Sequence, residues 1–302
     1  MDKVSLTALI SAYSRAYHAK HDTPKIFDDF LAGQMLTEEE FTNLGRNLAL
    51  ALPFFDPESA ASCPDQERAL ALVMRAQSTS ITISRARYTE DSLETAVKQG
   101  VQQYVILGAG MDTFAFRRPE MARQLRVFEV DHPATQALKR HRLAELGWEH
   151  PEQLHFVPVD FTKESLVAAL KHSSYESHTA SFFSWLGVTY YLSRDVVFDM
   201  LRSIAGIAPA GSAIVFDYLD TDAFVPERAA VRVKRMQEAV RRSGEPMQTG
   251  FDPSTLAADL ARIGLRLQEN LSPAEIQDRY FQGRTDGYRA FEHVHFAWAV
   301  VE

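Results

Sequence analysis

The chain has one cysteine, Cys63, among 302 residues. An internal disulfide is therefore excluded, and nothing in the sequence depends on an oxidising compartment. It also lacks an apolar run near the roughly 20 residues that a membrane span needs. The opening Met1-Asp2-Lys3-Val4-Ser5 lacks the charged-then-apolar layout of a secretory signal. The expectation is a cytoplasmic protein that does not enter a membrane. Positive charge is in deficit: 32 Lys and Arg stand against 40 Asp and Glu, a formal net charge of −8. A general nucleic-acid binder would carry a basic footprint, so nucleic acid is not an expected partner. Internal repeats and low-complexity tracts are absent.

What is present is a change of pattern along the chain. The first part reads as helices over 6–17, 26–36 and 38–52, with Asp22-Thr23-Pro24 breaking the first from the second. Pro53, Pro57 and Pro64 bracket a loop. Residues 1–64 are therefore expected to form a helical extension, and 65–302 the core. A helix is predicted over 65–84, and Thr89 reads as the N-cap of another that closes at Gly100. After Gly100 short apolar strands alternate with helices. The strands are Tyr104-Val105-Ile106-Leu107, Arg126-Val127-Phe128-Glu129-Val130, His155-Phe156-Val157-Pro158-Val159, Ser181-Phe182-Phe183-Ser184 and Ala213-Ile214-Val215-Phe216. This alternation predicts an α/β fold with a doubly wound parallel sheet. Two more strands, at 265–271 and 293–301, complete the chain. The stretch 220–251 contains a charged helix over 228–242 and reads as an inserted helical lid.

The sharpest feature is Leu107-Gly108-Ala109-Gly110-Met111-Asp112-Thr113. A buried strand runs straight into a Gly-x-Gly turn, where backbone without Cβ lets a ligand approach closely. The turn lies at the carboxyl end of the first strand, where open α/β sheets place ligands. A dinucleotide site would want a third glycine where Thr113 stands, followed by a long helix under a diphosphate. The Phe114-Ala115-Phe116-Arg117-Arg118-Pro119 that follows is a poor start for such a helix. S-adenosylmethionine carries no phosphate and needs only the close backbone approach.

Two further strand ends agree with that cofactor. Glu129-Val130-Asp131 ends the second strand about 20 residues on, where an acid can hold ribose hydroxyls. Val159-Asp160-Phe161 ends the third, where an Asp can accept from an adenine amino group and a Phe can pack on the ring.

Together with Phe128-Glu129-Val130-Asp131-His132-Pro133, Arg85-Ala86-Arg87-Tyr88-Thr89-Glu90-Asp91 and Phe183-Ser184-Trp185-Leu186-Gly187-Val188-Thr189-Tyr190-Tyr191-Leu192, these segments resemble the leucine carboxyl methyltransferase family. The closer similarity is to its bacterial branch of S-adenosylmethionine-dependent O-methyltransferases, which includes polyketide O-methyltransferases. The resemblance implies a class I methyltransferase Rossmann-like sheet of seven strands, the last antiparallel. It implies that Arg87 binds the methionine carboxylate, a contact a guanidinium makes bidentately. Gly108 would lie against the methionine portion, Asp131 would hold the ribose, and Asp160 and Phe161 would contact adenine. With their neighbours Ala109, Gly110, Asp112, Thr113, Glu129 and Ser184, these form the expected cofactor-binding set. At the position of Leu186 the eukaryotic carboxyl methyltransferases have Glu. That departure argues against a protein-phosphatase tail as substrate.

The expected reaction is methyl transfer to an oxygen, carboxylate or hydroxyl, of a small-molecule acceptor. A carboxylate acceptor needs no base, whereas a hydroxyl benefits from one, most often His. Tyr190 and Tyr191 follow the fourth strand and are candidates to orient an acceptor. His293 and His295 share one face of the last strand and are candidate bases. That pair has no third ligand at metal spacing, and no metal site is expected. The basic residues Arg232, Lys234 and Arg235 of the lid could attract an acidic substrate. The alternatives are an NAD(P)-dependent oxidoreductase and a regulatory protein that binds the cofactor without catalysis.

Overall fold

The structure, a computed structural model, describes residues 5–77, 79–161 and 163–302, so the opening Met1–Val4 lies outside it. Seven strands form one sheet in the order β3-β2-β1-β4-β5-β7-β6. They are β1 Gln103–Leu107, β2 Arg126–Asp131, β3 Leu154–Pro158, β4 Ser181–Trp185, β5 Ala213–Leu219, β6 Leu265–Leu271 and β7 Val294–Val301. β7 runs antiparallel to both neighbours, and the other pairings are parallel. The expected α/β sheet with an antiparallel last strand is therefore what forms. β1 and β5 are buried along their whole length, which explains their unbroken apolar runs. The edge strands β3 and β6 mix buried with exposed positions.

Alternation along β1 sends Tyr104 and Ile106 into one core and Val105 and Leu107 into another. The first core packs against the long helix α4 Thr79–Lys98 and against α8 Val231–Arg242. The second packs against α6 Leu166–Lys171, α7 Arg194–Ile207 and α9 Leu256–Ala261. Preceding α4 are α1 Leu6–His21, α2 Glu38–Leu50 and α3 Gln66–Ala76; α5 Pro133–Glu145 follows β2. A third core joins Ala12, Tyr13 and Tyr17 of α1 to Met111 and Leu143, so the amino-terminal helices are welded to the sheet layer. Leu107 lies opposite Val130 and Trp185, so the residues after β1, β2 and β4 open on one edge.

Four local expectations are corrected. The helix predicted over 26–36 is only a short 3-10 turn, Ala32–Met35. Its backbone is taken by side chains instead: Ile26 N donates to His18 Nε2 at 2.9 Å, and Ala32 N to Asp29 Oδ1 at 3.1 Å. The helix predicted over 65–84 breaks at Gln77, which is extended. Thr89 is no N-cap but a buried interior residue of α4. The β-branched run Thr79, Ile81, Thr82 and Ile83 is helical because burial outweighs its weak propensity. Finally, Arg232 does not face a substrate. Its guanidinium is buried over Phe291 and donates to the carbonyls of Arg75, Ala76 and Ala290.

Candidate functional site

A cavity of about 600 Å³ opens at the carboxyl edge of the sheet. Gly108, Ala109 and Gly110 after β1, Asp131 at the end of β2, and Asp160 and Phe161 after β3 all line it. Leu186, Gly187, Val188 and Tyr191 line it from beyond β4. Its roof comes from two places in the chain: Ser5, Thr7, Ala8, Ser11 and Arg15 at the start of α1, and Gly244, Glu245, Pro246 and Gln248 after α8. Thr7 Oγ1 donates to Glu245 Oε2 at 2.5 Å, tying the two roof segments together.

The Gly-x-Gly turn is held by the neighbouring strand. Gly108 N donates to Val130 O at 2.8 Å, and Gly108 and Gly110 take φ of +70° and +51°. A Cβ on Gly108 would meet Val188 at 3.1 Å, and one on Gly110 would meet Ala8 at 3.1 Å. Asp131 fixes the turn from below: its carboxylate accepts from the backbone N–H of Gly110, and from His132 N at 2.6 Å. Burial raises the Asp131 carboxyl above the usual carboxylate range, against the pull of these two N–H groups. Two carboxylate oxygens offer about four acceptor positions, so positions are left for donors in the cavity.

A smaller chamber of about 80 Å³ adjoins behind the turn, sharing Arg15, Arg85, Gly108 and Ala109 with the large cavity. Here the sequence-based assignment of the arginine is corrected. Arg87 lies on the outer face of α4, paired with Asp91 at 2.8 Å and half exposed. Arg85 faces both cavities. Its Nη1 donates to Asp217 Oδ2 at 2.9 Å and to the Tyr190 hydroxyl at 3.1 Å. Asp217 is fully buried, and burial, which would lower the Arg85 guanidinium, is outweighed by Asp217 and Tyr190 together. A second guanidinium, Arg15, pairs with Asp29 at 2.8 Å and donates to Met111 O at 2.7 Å. Burial would raise Asp29, but Arg15 and Arg117 outweigh it and leave it lowered.

The other expected residues divide. Asp112 and Ser184 line the smaller chamber, Asp112 capping Phe114 N at 2.7 Å and Ser184 Oγ lying 3.0 Å from the Tyr104 hydroxyl. Thr113 turns away and donates to Asp29 at 2.6 Å. Glu129 sits one pleat inside the end of β2, almost wholly buried and paired with Lys139. Tyr191 faces the large cavity, while Tyr190 lies beneath it as the partner of Arg85. His293 and His295 line neither cavity. Both hold Asp220 at the end of β5, with His293 Nδ1 at 2.8 Å and His295 Nε2 at 3.4 Å. His293 Nε2 also accepts from Ala230 N, just before α8, at 3.1 Å. They join the end of β5 to the start of α8, so the structure does not bring these two candidate bases to either cavity.

A family model described as leucine carboxyl methyltransferase matches residues 8–205. The chain is also 42% identical over 297 residues to a Bacillus subtilis (strain 168) protein named "Putative S-adenosyl-L-methionine-dependent methyltransferase YktD", covering 98% of this chain and 97% of that one. The chain belongs to the leucine carboxyl methyltransferase family. It is a methyltransferase that uses S-adenosylmethionine, and the nicotinamide alternative loses its support. A second family relative, from Parafrankia sp. (strain EAN1pec), is 30% identical over 93% of this chain and 77% of its own. The fold matches a solved DUF574-family protein from Streptomyces avermitilis MA-4680 with TM-score 0.58, at 14% identity over 97% of both chains. Among the described residues no helix is long and apolar enough to cross a membrane.

Proposed function

We propose that this family member transfers the methyl group of S-adenosylmethionine to an oxygen of a small-molecule acceptor, and that the cavity of about 600 Å³ holds both. Such a volume is within the usual range for small-molecule sites, roughly 300–1,000 Å³. The observation that carries the reading is the order of groups around that cavity. Phe161 and Asp160, then Asp131, then the glycine turn, then Arg85 follow one another along the sheet edge. The donor set fits the cofactor. An apolar ring and a carboxylate suit adenine, a carboxylate with acceptor positions to spare suits a ribose diol, and a guanidinium suits an amino-acid carboxylate.

In this reading Asp160 and Phe161 hold the base, Asp131 the ribose, and Gly108 and Ala109 the methionine portion. Arg85, with Arg15 beside it, takes the carboxylate. When bound, the cofactor supplies the electrophilic methyl group. The chain's own residues orient and enclose it. Residues 1–64 act as a cap and 220–251 as a lid, since α1 and the segment after α8 both contribute to the roof. The Tyr191 phenol is raised by burial, so it stays protonated and can donate to an acceptor oxygen. Leu186 leaves the acceptor side apolar, in keeping with a polyketide-like phenol or carboxylic acid.

Calorimetry with S-adenosylmethionine, S-adenosylhomocysteine and NADH, followed by a labelled-methyl assay, tests the reading. Saturable binding of the first two and label transfer to phenols or carboxylic acids are expected. Transfer confined to amines, or binding without turnover on any acceptor class, would overturn the oxygen-acceptor assignment.

A further inference from the structure

Away from the sheet edge, a second cavity of about 540 Å³ lies between α3, the lid helix and the segment before β7. Four arginines line it: Arg75 from α3, Arg232 and Arg235 from α8, and Arg289. The chain as a whole carries −8, so this concentration of guanidinium is a local reversal of sign. Two carboxylates also line the cavity, and each feels one of these arginines, Asp56 through Arg235 and Asp286 through Arg75, while accepting hydrogen bonds from its neighbours. Asp56 accepts from Ser59 Oγ at 2.6 Å and Ser59 N at 3.1 Å. Asp286 accepts from Arg284 Nε at 3.1 Å and Tyr288 N at 3.2 Å.

The cations outnumber these carboxylates, four to two, and lie at longer range from them. Among the described residues, the half-buried guanidiniums of Arg75 and Arg235 have no carboxylate within ion-pair distance. Arg235 donates to Phe55 O, and among the described residues no hydrogen bond from the Arg75 side chain is found. Arg289 reaches Glu292 only at 3.6 Å and is largely exposed. Arg232 is lowered to about 10, mainly by burial and further by Arg289, with Glu292 only partly offsetting this. Four guanidiniums against two carboxylates leave the cavity with an excess of positive charge that an incoming anion would offset.

We propose that this cavity binds a phosphoryl oxyanion, with Arg75 and Arg235 as its principal ligands and Arg289 at the rim. Guanidinium forks match phosphate oxygens bidentately, which favours phosphoryl groups over monovalent ions. The anion joins α3 of the amino-terminal helices to the lid helix, whose far end roofs the methyl-transfer cavity. The site is separate from the cofactor cavity, since no residue lines both.

Titration calorimetry of the full chain at fixed ionic strength, with inorganic phosphate, pyrophosphate and citrate in turn, tests the site. Saturable phosphate or pyrophosphate binding is expected, weakened about tenfold by Arg75→Gln or Arg235→Gln. S-adenosylmethionine affinity should stay at the wild-type value in both variants, which also reports that they are folded. Tighter pyrophosphate than phosphate would assign a diphosphate ligand, and equal affinities a monoester. Among the described residues Arg75→Gln removes no side-chain hydrogen bond, so its result holds even if Arg235→Gln unfolds. No saturable heat, unchanged affinity in Arg75→Gln, or a preference for citrate would overturn the proposal.

Discussion

The buried carboxylate of Asp217 aims the guanidinium of Arg85, which it meets at 2.9 Å. The other Asp217 oxygen accepts from Gly187 N at 2.6 Å, so one carboxylate ties α4 to the turn after β4. Arg85 is thereby fixed where the two cavities meet, and it lines both. Removing Arg85 outright would strand Asp217 in the core at a cost of about 3–5 kcal/mol. Arg85→Lys keeps the charge and loses the fork. It should fold and weaken S-adenosylmethionine binding at least about tenfold. Arg87→Ala should leave binding unchanged. Equal effects in the two variants, read by calorimetry, would count against Arg85.

The distinction between Arg85 and Arg87 was open to the sequence only through helical phase. Ile81, Arg85, Tyr88, Ser92 and Ala96 recur at spacings of three and four, and Arg87 falls off that stripe. Reading Thr89 as an N-cap cut the helix in two and hid the phase. The strand ends were legible because a short apolar run followed by Gly or Asp has one reading in a parallel sheet. Glu129 was misplaced because period two puts it on the same face as Asp131, and only the packing of Lys139 from α5 shows that it is interior. The clamp of His293 and His295 on Asp220 spans 73 residues, a separation that no local pattern encodes.

Gly187 has φ +73°, and a Cβ there would lie 2.5 Å from Arg85 Nη2. Gly147 has φ +65° with nothing within 4 Å of such a Cβ. Alanine at either position should cost about 1–2 kcal/mol for the left-handed backbone, measured by urea denaturation. Only Gly187→Ala should also lower cofactor affinity, because it displaces Arg85. Equal cofactor affinity in the two alanine variants would remove the contact from the account.

Because burial raises Asp131, it takes up a proton at a higher pH than an ordinary aspartate. The ionised form is the one with acceptors for a diol, so protonation competes with binding. S-adenosylmethionine affinity should therefore fall on acidification, approaching about tenfold per pH unit below the Asp131 pKa. In Asp131→Asn affinity should be weaker by roughly 1–3 kcal/mol at neutral pH and the acid-side slope should flatten. A slope identical to wild type in that variant would assign the titration to another group.

His293 adopts φ +67°, which Asn tolerates better than most residues. His293→Asn should lose the bonds to Asp220 and Ala230 and cost about 1–3 kcal/mol of stability. Methyl transfer at saturating acceptor should persist, with KM rising more than kcat falls as the lid loosens. A fully folded variant with no turnover would restore His293 to the chemistry.

The most direct measurement is a crystal structure with S-adenosylhomocysteine. Its adenine should lie beside Asp160 and Phe161, its ribose hydroxyls on Asp131, and its carboxylate on Arg85. Finding the carboxylate on Arg87, or the molecule outside the cavity bounded by Gly108 and Asp131, would contradict this placement.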